Sequence, residues 1–146
     1  DARLWRAPES KPGAPDVWGR MRGWGDALAA LQPALQAQTP GLPVVVTDRS
    51  VMAQALYAWR TEQRRFMSWS PGGAIRHHFD WKLPISTATG SSTPCSVLFV
   101  DNEVPERFMP GATRTRIAQA RAGRVDLSLW QVTALPTDPP CARVQR

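Results

Sequence analysis

Leu42-Pro43-Val44-Val45-Val46-Thr47-Asp48-Arg49-Ser50-Val51-Met52-Ala53-Gln54-Ala55-Leu56-Tyr57-Ala58-Trp59-Arg60 is the stretch on which the reading of the chain turns. Three consecutive valines form a continuous apolar run, which suits a strand covered on both faces. Thr47 or Asp48 can then cap a helix by accepting backbone N–H bonds. Val51, Met52, Ala55, Leu56 and Trp59 recur at helical spacing and make one apolar face. A buried strand that turns at once into an amphipathic helix is the first half of a βαβ unit, so the expected class is α/β.

Working outward, Cys95-Ser96-Val97-Leu98-Phe99-Val100 is the second buried-strand candidate, ended by the turn residues Asp101-Asn102. Phe66 to Trp69 reads as a short strand, and residues 60–65 and 86–94 as loops. Upstream, Met21, Trp24, Leu28, Leu31 and Leu35 set an apolar stripe for a helix from about Val17 to Gln38, which Pro33 should kink or end early. Ala112 to Ala122 is expected to be a short helix stopped by Gly123. Val125 to Leu135 alternates and reads as a long strand at a sheet edge. The expectation is one domain over residues 18–135, between a linker or tail at 1–17 and a Pro-rich tail at 136–146. Its architecture should be a mostly parallel sheet of about four or five strands with helices on both faces, Rossmann-like and three-layered.

The 146 residues suit a single domain of ordinary size. With 42% hydrophobic and 21% charged residues, the chain should fold rather than stay disordered. Net charge is +6, and sixteen of the eighteen basic residues are arginine. Such a balance suits nucleic acid or anionic lipid head groups. The arginines are scattered, with no basic run interleaved with aromatics, so nucleic acid is an unlikely partner. No apolar run approaches the roughly 18–20 residues of a membrane span. The chain opens at Asp1 with no Met and no signal peptide, as an excised or processed piece would.

Asp48-Arg49 and Asp101-Asn102 follow the two buried strands. In open α/β sheets ligands bind beyond the carboxyl ends of strands. If the strands are parallel neighbours, these four residues share one rim, with Arg49 at a helix N-terminus as the anion-binding member. Each pair is also ordinary turn and cap chemistry. Seven tryptophans is a high count, and Trp81 lies near loops where an indole can face a carbohydrate, a membrane interface or a protein. His77 and His78 are adjacent and would point to opposite faces of a strand, so no metal site is expected. The chain holds no Gly-rich phosphate loop and no G-x-S-x-G, which disfavours a self-contained hydrolase, kinase or dinucleotide enzyme and implies no cofactor. Cys95 and Cys141 fit no metal spacing. They can be two separate thiols or, in an oxidising compartment, one long-range disulfide.

Taken in order, the features resemble a known family. They are Arg22-Gly23-Trp24-Gly25-Asp26-Ala27-Leu28, Pro43 to Arg49, Ala53-Gln54-Ala55-Leu56-Tyr57, His78-Phe79-Asp80-Trp81 and Ser96 to Val100. Over roughly residues 20–135 this resembles the soluble C-terminal portion of bacterial membrane glycosyltransferases of the dolichyl-phosphate-mannose–protein mannosyltransferase type. The resemblance implies a parent enzyme with many membrane spans and a lipid-linked (polyprenyl-phosphate) sugar donor. Its catalytic acidic residues would lie in loops between the N-terminal spans, so no catalytic residue falls in this chain. The resemblance implies an accessory, non-catalytic domain on the extracytoplasmic (periplasmic) face of the inner membrane. Its partners would be the membrane-embedded part of the parent and a lipid-linked sugar or glycan acceptor. Two other readings stay open: a free-standing periplasmic carbohydrate- or anion-binding module, and a nucleic-acid-binding domain.

Overall fold

A computed structural model of the chain describes residues 22–70, 74–85 and 95–135. The elements run α1 (Trp24–Gln36), β1 (Val44–Val46), α2 (Arg49–Ala58), β2 (Phe66–Ser68), α3 (His78–Lys82), β3 (Ser96–Asp101), a 3₁₀ turn (Pro105–Arg107), β4 (Thr113–Ala122) and β5 (Val125–Thr133). One five-stranded sheet has the order β2-β1-β3-β5-β4. The Val44–Val46 run is fully buried in it, as a strand with neighbours on both sides and cover on both faces requires.

The sheet is α/β but mixed, which corrects the expectation of mostly parallel strands. β1 pairs parallel with β2 and with β3, whereas β5 pairs antiparallel with β3 and with β4. The segment expected as a helix at Ala112–Ala122 is β4, and β5 is not an edge strand but lies between β3 and β4. The physical reason is the turn. Gly123, with φ 61°, and Arg124 make a two-residue connection that closes a long hairpin, with Ala122 opposite Val125. The alanines of β4 are good helix formers, but cross-strand pairing over nine residues of β5 overrides that local preference.

Side chains alternate between two cores. Val44, Val46, Leu98, Val100, Leu127 and Leu129 join Leu28, Leu31 and Leu35 of α1 and Val51, Met52 and Ala55 of α2 on one face. Phe79 and Leu83, from α3 and its end, pack against that same cluster. The other face gathers Val45, Val97, Phe99 and Val132 under Met109 and Ala112. Among the described residues, then, the helices pack on one face only, and the connection after β3 covers the other. A bulge interrupts β4, whose Ile117, Ala118, Ala120 and Ala122 belong to the first of these cores. Arg116 pairs with Trp130 and Ala118 with Leu129, leaving Ile117 as the extra residue.

Pro33 sits inside α1, which continues to Gln36. Its ring is on the exposed side, where the carbonyl that loses its N–H partner can turn to water. Trp59, fully buried, donates its indole N–H to Leu28 O at 3.1 Å and ties α2 to α1.

Candidate functional site

β2 and β3 flank β1 on opposite sides, both parallel to it. The chain therefore leaves the carboxyl ends of β1 and β3 in diverging directions, and a crevice opens there. That crevice is a cleft of about 210 Å³. Its floor joins the two strand ends. Thr47, 3% exposed, donates through its backbone N–H (3.3 Å) and its hydroxyl to Oδ2 of Asp101, itself 1% exposed. Asp101 Oδ1 accepts from Asn102 N at 2.7 Å. Burial pushes the Asp101 carboxyl up from its ordinary range, and the nearby Asp48 charge adds to this, against the pull of those hydrogen bonds.

Asp48 stands at the mouth, on the α2 start. Its Oδ1 accepts from Ser50 N at 2.7 Å and Val51 N at 3.1 Å, so it caps the helix. Two of the first-turn N–H groups that the sequence offers to an anion, those of Ser50 and Val51, are thereby already held by a carboxylate. Arg49 is exposed on α2 and does not line the cleft. The rim residues that share the cleft are Asp48, Asp101 and Asn102.

The arginines of the site are Arg76 and Arg107, joined by Glu103 and Phe108. Arg76 is held from several directions. Its backbone N–H and Nε donate to Asp80 Oδ2 at 2.9 and 3.0 Å, and Nη2 donates to Asp80 Oδ1, Trp69 O and Thr47 O at 3.1, 2.6 and 3.3 Å. Asp80 also accepts from the Ser68 hydroxyl at 2.6 Å. Burial alone would raise the Asp80 carboxyl, but the hydrogen bonds from Arg76 and Ser68 outweigh it and bring it down to about 2. His77 donates from Nε2 to Thr47 O at 2.9 Å, and its buried Nδ1 has no hydrogen-bond partner among the described residues. Arg107 pairs with Glu103 four residues earlier, on the exposed side of the 3₁₀ turn. The Trp69 indole fastens that turn by donating to Phe108 O at 2.9 Å.

Trp81 lies on α3, is 60% exposed, and carries Lys82 Nζ 4.0 Å from its ring centroid; it does not line the cleft. Cys95 opens the approach to β3 and is disulfide-bonded, while Cys141 lies outside the described residues. Among the described residues no group of three or more His, Cys, Asp or Glu is placed to hold a metal ion.

Sequence reasoning missed Arg76, Glu103, Arg107 and Phe108. The Arg76/Asp80 and Glu103/Arg107 spacings of four were available as signals, since side chains four apart meet on one turn. Neither falls in a strongly periodic helix, so neither stood out. As a chemical surface the cleft combines three carboxylates, two guanidinium groups and one aromatic ring. Comparison with protein-family models, with curated proteins and with solved structures finds no match to this chain.

Proposed function

We infer that this chain is an accessory, non-catalytic domain of a multi-span membrane glycosyltransferase that uses a polyprenyl-phosphate-linked sugar. On this reading it sits on the extracytoplasmic face of the bacterial inner membrane, where it helps bind the acceptor or covers the active site. The observation that carries the reading is the cleft at the β1/β3 crevice, whose charged groups are committed to holding shape. Asp48 caps a helix, Asp101 bridges two strand ends, Arg76 is clamped by Asp80, and Arg107 is paired with Glu103. Side chains locked in this way present a fixed polar surface to a ligand, which is what recognition needs. The hydroxyl that does stand beside a carboxylate, Thr47 on Asp101, ties the two strand ends together, and on this reading it serves as structure rather than as a nucleophile–base pair. Nucleic acid fits less well, because a backbone phosphate entering the cleft would meet three carboxylates.

The test uses the complete reading frame that contains this chain. Multiple upstream apolar spans, and sugar transfer from a polyprenyl-phosphate donor that falls when the cleft is altered by Glu103→Gln, support the reading. A frame that encodes no span overturns it and leaves a free-standing binding module. The chain by itself should transfer and hydrolyse no sugar. Turnover of a polyprenyl-phosphate sugar by the chain alone, abolished in Asp101→Asn, would show that it is catalytic.

A further inference from the structure

The cleft has unused hydrogen-bonding capacity of both signs. Asp48 Oδ1 takes both cap bonds, and no hydrogen bond among the described residues uses its Oδ2. Asp101 Oδ2 takes both bonds from Thr47, so Oδ1, with the single bond from Asn102 N, keeps a lone pair. Arg76 spends its backbone N–H, Nε and Nη2 on Asp80, Trp69 and Thr47, and no hydrogen bond among the described residues uses Nη1. Beside these groups stands the half-buried ring of Phe108, packed on Phe99 with ring centroids 6.0 Å apart.

We propose that the cleft binds a single sugar ring through its hydroxyls, with the carboxylates of Asp48 and Asp101 accepting from them, Arg76 Nη1 donating to them and Phe108 meeting the ring's C–H face. This deepens the reading given above and rests on it only for where the sugar comes from. A hydroxyl both donates and accepts, so adjacent hydroxyls satisfy spare acceptors and a spare donor together. The ionised oxygens of a phosphate only accept. Such a group could use Arg76, but it would sit against Asp48, Asp101 and Glu103 while both arginines are already paired with carboxylates. The volume points the same way. At about 210 Å³ the cleft is smaller than the pockets that enclose drug-sized ligands, and one ring fills it. Arg49, which the sequence put forward as the anion-binding residue, has no part in this site.

Backbone amide shifts of the intact chain, followed by NMR during titration, test the proposal. The probes are the methyl glycosides of mannose, glucose and galactose, inorganic phosphate, and a polyprenyl-phosphate-linked sugar in micelles. At least one glycoside should give saturable shifts centred on Thr47, Asn102 and Phe108, with Gly123 unmoved. Asp48→Asn keeps a good cap but removes the charge, and should weaken that glycoside roughly tenfold without lowering the melting temperature. Phe108→Leu should weaken it as well, through the ring rather than the hydroxyls. Stronger binding of the micellar sugar than of the free glycoside places the ring on a lipid carrier; equal binding places it on a soluble glycan, and both keep the cleft chemistry. Phosphate shifting the same amides, and more strongly in Asp48→Asn, would make this an anion site and overturn the proposal. Cleft amides that no glycoside moves, or unchanged glycoside affinity in both variants, overturn it too. These outcomes do not depend on whether the full reading frame contains membrane spans, so the two readings can fail separately.

Discussion

Asp48, the cap of α2, and Asp80, in the first turn of α3, are both aspartates at helix starts, yet they contribute in different ways. Asp48 is exposed and its value lies in two cap bonds. Asp48→Ala should cost about 1 kcal/mol in urea unfolding, and Asp48→Asn nothing measurable, because Asn caps as well as Asp. Asp80 is buried and held down to about 2 from the ordinary 3.8, so the folded state binds its proton more weakly than the unfolded state does. Its contribution is therefore complete well above pH 3.8, about 2 kcal/mol, and is lost as the pH falls toward 2. The stability gap between wild type and Asp80→Asn should accordingly close between pH 7 and pH 2 when unfolding is followed by circular dichroism. A gap that stays constant across that range would show that the Arg76–Asp80 pair is not the source of the shift.

At the scale of elements, two ends of α1 make different demands. Its start is set by Gly23, which has φ 87° and no side-chain cap. A Cβ there would lie 2.1 Å from Ala122 O, at the end of β4. Gly23→Ala should thus lose about 2–4 kcal/mol, from the left-handed backbone and the collision together. Gly25, two residues on, has nothing within 4 Å of a built Cβ, so Gly25→Ala should be neutral or stabilising by about 0.5 kcal/mol. Thermal unfolding of the two variants separates close approach from helix propensity. The far end is closed by Arg64, whose Nη1 donates to Thr39 O and Leu42 O at 2.8 and 3.1 Å and Nη2 to Leu35 O and Gln38 O at 3.1 and 2.7 Å. No carboxylate could replace it, because the carbonyls need donors. Arg64→Lys should cost about 2 kcal/mol despite keeping the charge, since an ammonium cannot reproduce the planar fork. Equal stability of Arg64→Lys and wild type would reduce the guanidinium to a surface charge.

At the scale of the whole molecule, the long-range closure is Cys95. It is disulfide-bonded just before β3, and Cys141 is the chain's other cysteine. Pairing of the two would close a loop of about 45 residues and stabilise the fold by roughly 3–4 kcal/mol if unstrained. Thiol titration of the denatured, non-reduced protein should find no free thiol, and reduction should lower the urea midpoint. Two reactive thiols before reduction would rule the bond out.

What the sequence determined by itself is the part that rests on local chemistry. Three valines, a capping aspartate and an apolar stripe made β1 and α2 readable, because each signal is complete within a few residues. The same holds for β3 and for the placing of Asp48 and Asn102 after buried strands, whereas Asp101, read as a turn residue, is the buried last residue of β3, paired with Ser128. Tertiary structure alone decided the rest. Whether Thr113 to Ala122 is helix or strand depends on the partner across Gly123, and alanine-rich segments follow their pairing. That pairing puts an antiparallel hairpin beside β3 and makes the sheet mixed. The cleft also required assembly. Arg76 comes from the segment after β2, and Glu103, Arg107 and Phe108 from the connection after β3. They meet because β2 and β3 take opposite sides of β1. Strand order is a property of the whole chain, since each pairing is chosen against every competing one, and no short window of sequence carries it.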